Sequence, residues 1–143
     1  MAASLSAGAG RAADPVPAAV GARVNGFREL GAAFKTVNDE LKSGSPQLVM
    51  LQLSARQIQD ASRAQANWFP ADSAPRPGIK TNAKAEIWSQ PAQFKKAQDD
   101  FATQANAFYA VAQKGDVAAM RTQAKALGGA CGACHRSFRV EMH

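Results

Sequence analysis

The sequence has few of the residues on which several classes of protein depend. Its 143 residues include two cysteines, two histidines and one tyrosine, and they contain no run of 18 apolar residues. Without such a run, no membrane-spanning helix is predicted. Val, Ile and Tyr are scarce beside Ala, Gln and Lys, which favours helix over sheet. With 46% hydrophobic and 20% charged residues, the composition is that of one globular domain.

Charge is not concentrated anywhere in the chain. The 17 Lys and Arg residues exceed the 11 Asp and Glu residues, for a net charge of +6, but no basic run occurs and few aromatic residues are interleaved. The pattern predicts no nucleic-acid partner and is typical of a solvated surface, although a basic chain can also steer toward acidic partners. No acid–base or nucleophile constellation is visible, so the sequence does not predict an enzyme.

The first 15 residues differ in composition from the rest. They are rich in Ala, Gly and Ser and lack helical periodicity. We interpret residues 1–15 as a leader or a residual signal-peptide segment, with Gly10-Arg11-Ala12 as a small-residue cleavage site. A basic n-region and an apolar h-region are missing, so a flexible leader is an equal alternative. Residues 16–143 then form the folded domain.

The first half of the folded domain shows two amphipathic segments. We predict one helix from Val16 to Lys42 and a second from Pro46, capped by Ser45, to about Asn67. The Pro-rich stretch that follows predicts a loop to residue 80 and a short helical turn at residues 83–88. The apolar stripe of the first helix follows a seven-residue repeat with residues between: Val20, Val24, Phe27, Leu30, Phe34, Val37 and Leu41.

The second half shows two more amphipathic segments. One begins at Pro91 and ends near Lys114, with Gly115 past its end, and the last begins after the cap Asp116. Four helices joined mostly by short turns predict an all-α, antiparallel four-helix bundle with left-handed packing. The two stripes are Phe94, Phe101 and Phe108 on the third helix, and Val117, Met120, Ala124, Leu127, Cys131, Cys134 and Phe138 on the fourth.

The last helix carries the motif C-x-x-C-H as Cys131-Gly132-Ala133-Cys134-His135, the attachment signature of c-type haem. Two thiols three residues apart lie on one face of a helix, where they can add to the two vinyl groups of a porphyrin. His135 can then bind the iron from below. The sequence therefore predicts one haem c, held through thioethers to Cys131 and Cys134, with His135 as the metal ligand.

Other uses of the two cysteines are less favoured. A structural zinc site needs four ligands, and the only other histidine is His143. A thioredoxin-type C-x-x-C belongs after a strand, and a disulfide between Cys131 and Cys134 would distort the helix. Thioether attachment, together with the leader, predicts a bacterial periplasmic location.

The sixth position of the iron decides the function. Met120 precedes His135 on the same helix by about 22 Å and cannot reach the same iron. Met142 lies on the same face as His135, Met50 is expected in the core, and His143 is terminal. No residue is therefore predicted as a distal ligand.

Three further patterns occur elsewhere in the sequence together with this motif. Arg23 is followed four residues later by Phe27, the segment TNAKAEIW at residues 81–88 leads to Phe94, and Arg139 follows the motif histidine by four residues. Together with C-x-x-C-H, they resemble the cytochrome c′ family over about residues 20–139. The combination is specific, whereas each pattern alone is not.

The resemblance implies roles for individual residues. Phe27 would cover the open face of the haem, with Phe69 adding to this distal wall. Arg23 would approach a propionate, Arg139 would lie beside the iron ligand, and Thr81 would contact the haem. The simpler interpretations are ordinary core for Phe27 and surface cations for the two arginines.

Three hypotheses of function follow. The first is a five-coordinate, high-spin haem that binds NO and CO at an apolar site without a hydrogen-bond donor for O₂, and that also exchanges electrons with an unidentified redox partner. The alternative is a closed-site, low-spin electron-transfer cytochrome, like the Met-ligated relatives of this fold. The Met of those relatives would occupy the place of Phe27, and it is absent from this sequence. The third starts from the homodimer through the first two helices that the resemblance implies, and it is that ligand binding at Phe27 disturbs this dimer.

Overall fold

The structure, a computed structural model, describes residues 17–141. The predicted leader, Val16, Met142 and His143 lie outside the described residues. The described chain forms five α-helices: α1 (Ala18–Lys42), α2 (Leu48–Ala64), α3 (Glu86–Ser89), α4 (Pro91–Gln113) and α5 (Val117–Phe138). In this part of the chain the only β-type pairing is an isolated bridge between Ala83 and Arg139.

The four long helices confirm the predicted antiparallel bundle. Helix α1 packs along α2, α2 along α4, and α4 along α5, whereas α1 and α5 contact each other only sparsely. The bundle is therefore tight on three sides and open on the fourth. A cavity lies between α1 and α5 on this fourth side.

Two apolar clusters lie on either side of that cavity. The larger one fills the bundle with buried residues of all four long helices, including Ile58, Phe101 and Leu127. The smaller one joins Ile87, Phe94 and Phe138 near α3. All five of these large side chains outside α2 are at most 7% exposed, so the predicted stripes of α4 and α5 are confirmed as core.

The predicted start of α5 is confirmed in detail. Gly115 has φ +71°, a left-handed conformation that glycine adopts without strain, and it ends the turn after α4. The Asp116 side chain then accepts a hydrogen bond of 3.0 Å from the backbone N–H of Ala119. This cap fixes where α5 begins and thereby the rotation of its haem-binding motif.

The predicted start of α2 was wrong by two residues. The helix begins at Leu48 after Gln47, not at Pro46 after a Ser45 cap. The N–H of Gln47 donates to the carboxylate of Glu40, and the N–H of Ser45 donates to Oγ of Ser43. These bonds tie the segment to the end of α1, so the helical turn starts later.

Two predicted core residues are exposed. Val24 is 42% exposed because α1 faces the open side of the bundle there and its side chain borders the cavity. Met50 is 38% exposed because it lies in the first turn of α2, where few elements cover the helix. Periodicity marks the apolar face of a helix but does not show where along it a neighbour packs.

The long connection between α2 and α4 crosses one end of the bundle. It contains 3₁₀ turns at Gln65–Asn67 and Ala71–Ser73, and α3 begins three residues later than predicted. Backbone bonds from Lys84 N–H to Phe138 C=O (2.9 Å) and from Val140 N–H to Asn82 C=O (2.7 Å) attach the connection to the end of α5. The connection thus closes one end of the cavity.

The described helices differ from membrane-spanning helices. None of them, within residues 17–141, is both long and apolar enough to cross a bilayer.

Candidate haem site

The cavity between α1 and α5 has a volume of about 420 Å³ and a mainly apolar wall. Every residue predicted from the sequence to meet the haem borders it. They come from α1, the long connection and the end of α5, which are far apart in the sequence: Arg23, Phe27, Phe69, Thr81, Cys131, Cys134, His135 and Arg139. The structure thus brings the eight residues to one place, while their contacts with a haem stay a prediction.

Helix α5 forms the wall that carries the attachment motif. It is continuous through Cys131, Cys134 and His135, and each of these side chains is partly buried. Both cysteines are free. Because they are three residues apart on an unbroken helix, both thiols face the cavity, and the histidine follows one position later around the same wall.

The surroundings of the motif favour uncharged side chains. Burial, with a smaller contribution from Cys131, raises the pKa of Cys134 to about 11. Burial also raises the pKa of Cys131, although a backbone hydrogen bond opposes the shift. Burial, followed by the nearby charge of Arg139, lowers the pKa of His135. The neutral imidazole that results is the form that binds a metal.

A zinc site at the same cysteines finds no support in the described chain. Between residues 17 and 141, no three His, Cys, Asp or Glu side chains are grouped so that they could hold a metal ion. Four ligands are required for a structural zinc site.

Aromatic rings form the wall opposite α5. Phe27 lies 6.0 Å from Phe69, measured between ring centroids, and Phe69 packs edge-on against Phe94 at 4.8 Å. Phe94 in turn packs against Phe138 at 5.1 Å. Phe27 and Phe69 therefore belong to one connected aromatic layer that reaches the end of α5.

Arg23 is a buried side chain with several hydrogen-bond partners, not a surface cation. It is 4% exposed, and its Nη atoms donate to the carbonyls of Trp68 and Ser73 and to the hydroxyls of Ser73 and Thr81, at 2.9–3.2 Å. Its guanidinium also lies 5.0 Å from the ring centre of Phe69. Burial lowers the pKa of Arg23, but an arginine stays charged. All of these partners are neutral, so this buried charge lacks an anionic partner among them.

Hydrogen bonds hold Thr81 and the backbone of Arg139 in place. The hydroxyl of Thr81 accepts from Arg23 and from the N–H of Ala83. Arg139 is exposed, and its N–H donates to the carbonyl of His135. The bridge to Ala83 fixes the backbone of Arg139 at the rim of the cavity.

Several residues of this region were not predicted from the sequence. Ser73 is fully buried and binds Arg23 twice, but it lies in a loop where no periodicity marks it. Gln65 and Gln98 also border the cavity and pair with each other at 2.9 Å. An extra polar residue on an apolar helix face is the signal that could have identified the two glutamines.

The residues fit a covalently attached haem in three respects. The cavity volume lies in the range of cofactor sites, and its wall is mainly apolar. Two free thiols and an imidazole share one wall. The buried charge of Arg23 is of the sign that a haem propionate would balance.

An all-α bundle whose last helix presents C-x-x-C-H to an internal apolar cavity defines a c-type haem protein of the bundle class. The family model described as cytochrome c′ matches residues 18–139. The chain therefore belongs to the cytochrome c′ family. Its cofactor is haem c, and Cys131, Cys134 and His135 supply the attachment motif.

Individual relatives agree with this assignment. Cytochrome c′ of Rhodospirillum rubrum is 40% identical over 74 residues, 51% of this chain and 48% of that protein. The matched region thus spans about half of that relative. The crystal structure of cytochrome c′ from Thermochromatium tepidum has a TM-score of 0.81 at 21% identity, covering 87% of this chain and 95% of that one.

Several similar solved structures contain a bound gas, among them two with the same coverage of this chain. These two are variants of cytochrome c prime from Alcaligenes xylosoxidans, one with nitric oxide and one with carbon monoxide. Each has a TM-score of 0.77 at 23% identity and covers 86% of this chain and 94% of its own. At this identity the likeness establishes a shared fold.

Proposed function

We propose that this protein is a periplasmic gas-binding cytochrome. Its iron is five-coordinate and high-spin, with His135 on one side and an apolar distal site on the other. It binds NO and CO there and exchanges electrons with a redox partner. We assign it no enzymatic reaction. The alternative is a closed-site, low-spin electron carrier of the same fold.

One observation carries the proposal. Among the described residues that line the cavity, His135 is the only histidine, and no methionine, tyrosine or lysine is present. Met120 is fully buried in the bundle core, and Met50 lies at the outer surface. No second side chain of the usual axial-ligand types therefore faces the cavity within residues 17–141, which supports an open sixth position.

The polar groups of the cavity support NO and CO over O₂. Bound O₂ gains from a distal hydrogen-bond donor, whereas NO and CO depend on it less. Three amide side chains border the cavity, those of Gln65, Asn82 and Gln98, contrary to the expectation of a site without donors. The Gln98 amide donates to Gln65, and the Gln65 amide donates to the carbonyl of Ser62 at 3.5 Å. Each of these two amides thus donates to an acceptor within the protein.

The chain itself performs three tasks in this proposal. The bound haem supplies the iron, which takes up an electron or a diatomic gas. His135 offers a neutral imidazole, while Phe27 and Phe69 keep water from the opposite side. The four terminal N–H groups of Arg23 match its four protein acceptors. We therefore expect a propionate to meet Arg23 chiefly through its charge.

The solved variants from Alcaligenes xylosoxidans contain nitric oxide and carbon monoxide, which supports the same ligand class for this chain. The proposal is tested by absorption spectra of the ferric and ferrous protein before and after addition of CO. We expect a high-spin ferrous spectrum that changes on addition of CO. A low-spin spectrum that CO leaves unchanged would favour the closed-site alternative.

Replacing Phe27 with methionine is expected to convert the iron to low spin. A thioether from this position would supply the missing sixth ligand. The spin state is read from the absorption spectrum and from electron paramagnetic resonance. Phe34→Met is the matched control, because Phe34 borders the same cavity two turns further along α1. If Phe27→Met stays high-spin, Phe27 does not cover the iron.

We further propose a homodimer through α1 and α2. Val49 is 74% exposed and Leu53 is 51% exposed, and the two lie one turn apart on the outer face of α2. A second copy of the chain would cover this apolar face.

The double change Val49→Lys and Leu53→Lys is expected to shift the protein from dimer to monomer. Sedimentation measures the mass, and Thr103→Lys on the outer face of α4 is the control. A wild-type protein that is monomeric at high concentration would contradict the dimer. An equal dissociation constant with and without CO would show that the ligand does not act on it.

A further inference from the structure

Trp68 lies directly on the backbone of α1 at Gly26. A methyl group on Gly26 would be 2.5 Å from Cζ2 and 2.8 Å from Cζ3 of the Trp68 ring. Such distances are far below van der Waals contact, so any larger residue at position 26 would displace the indole. Gly21 and Gly31 of the same helix have no atom within 4 Å of the equivalent position. The close approach is therefore specific to Gly26.

Hydrogen bonds fix the backbone of Trp68 through both its N–H and its carbonyl group. Its N–H donates to the carbonyl of Gln65 at 3.1 Å, and its carbonyl accepts from Nη1 of Arg23 at 3.1 Å. Arg23 belongs to α1, one turn before Gly26. The connection after α2 is thus attached to α1 twice, by the Arg23 bond and by the indole on Gly26.

The indole supports Phe27 from outside the cavity. The ring centroids of Phe27 and Trp68 are 5.0 Å apart, with an interplanar angle of 82°. Phe27 borders the cavity, whereas Trp68 does not. An edge-to-face contact of this kind restricts the rotation of the supported ring.

We propose that Trp68, placed by Gly26, is a positioning residue that holds Phe27 in the distal site and so limits how readily a diatomic ligand binds. This inference rests on the proposed function, since it requires an open sixth position beneath Phe27. Without the indole, Phe27 can rotate toward the space that Trp68 occupied. The barrier that a ligand meets then falls.

The first experiment tests whether Gly26 places Trp68, using thermal unfolding of the haem-loaded protein. Gly26→Ala is expected to lower the midpoint by about 5 °C. Gly21→Ala, the matched control, should leave the midpoint unchanged or raise it, since alanine favours helix. In a Trp68→Leu background, Gly26→Ala should no longer lower the midpoint. An equal loss in both backgrounds would show that the indole is not what Gly26 accommodates.

The second experiment tests whether Trp68 acts through Phe27, using the association rate of CO with the ferrous protein. Trp68→Leu is expected to raise the rate by about tenfold. Trp68→Phe retains an aromatic edge and should restore a rate close to that of the wild type. In a Phe27→Ala background, Trp68→Leu should change nothing further. A purely structural role for Trp68 would not produce this dependence on Phe27.

The outcomes separate the inference from the function on which it rests. A wild-type protein that does not bind CO would contradict the proposed function and the gating with it. A wild-type protein that binds CO at the rate of Trp68→Leu would contradict the positioning role alone. An equal effect of Trp68→Leu with and without the Phe27 ring would also overturn it.

Discussion

A variant with alanine in place of both Cys131 and Cys134 is expected to retain no haem after denaturation. These are the only two thiols in the chain, so no other residue can form a thioether. Both side chains border the cavity, and both are free. Haem staining of denaturing gels measures the covalent fraction, which we expect to fall from complete to none.

The two single variants provide intermediate cases for comparison with the double variant. Cys131→Ala and Cys134→Ala each leave one thiol, so each should retain haem through one thioether and show a shifted pyridine haemochrome band. Ser137→Ala is the control, because Ser137 follows Cys134 by three residues on the same helix. This variant should retain both thioether bonds. Haem that stays covalently bound in the double variant would show that the attachment lies elsewhere.

The parts of the fold that local patterns encode could be predicted from the sequence. The stripe from Met120 to Phe138 depends only on spacing within one helix, and burial of its large side chains confirmed it. The Asp116 cap also depends on neighbours three residues apart. C-x-x-C-H is equally local, so the sequence alone predicts the haem.

The contacts that shape the distal wall are not local. The partners of Arg23 lie 45, 50 and 58 residues away, in a connection without periodicity. A pattern could single out Arg23 and Phe27, but it could not show that Ser73 and Trp68 hold them. By helix propensity alone, Gly26 only destabilises α1. The folded structure shows that the Trp68 indole lies on it and leaves no room for a side chain. Such complementarity arises only when the chain is folded.

Replacing Arg23 with methionine is expected to lower the free energy of unfolding by about 3 kcal/mol. The change keeps the apolar stem but removes the guanidinium that joins α1 to the connection. The partly buried carbonyl of Trp68 and the buried carbonyl of Ser73 then lose a donor. Because that connection also carries Phe69, we expect the distal wall to loosen. Denaturant unfolding of the haem-loaded protein measures the loss.

A second substitution separates what the shape of the Arg23 side chain contributes to stability from what its charge contributes. Arg23→Lys keeps the charge but cannot reach acceptors on Trp68, Ser73 and Thr81 together, since an ammonium lacks the planar fork. We expect it to recover less than half of the loss. Arg63→Met, at an exposed position of α2, should change stability by less than about 0.5 kcal/mol. Full recovery by lysine would mean that Arg23 acts through its charge, as a partner of the propionate alone. Partial recovery would mean that the planar guanidinium of Arg23 stabilises the distal wall against which the haem binds.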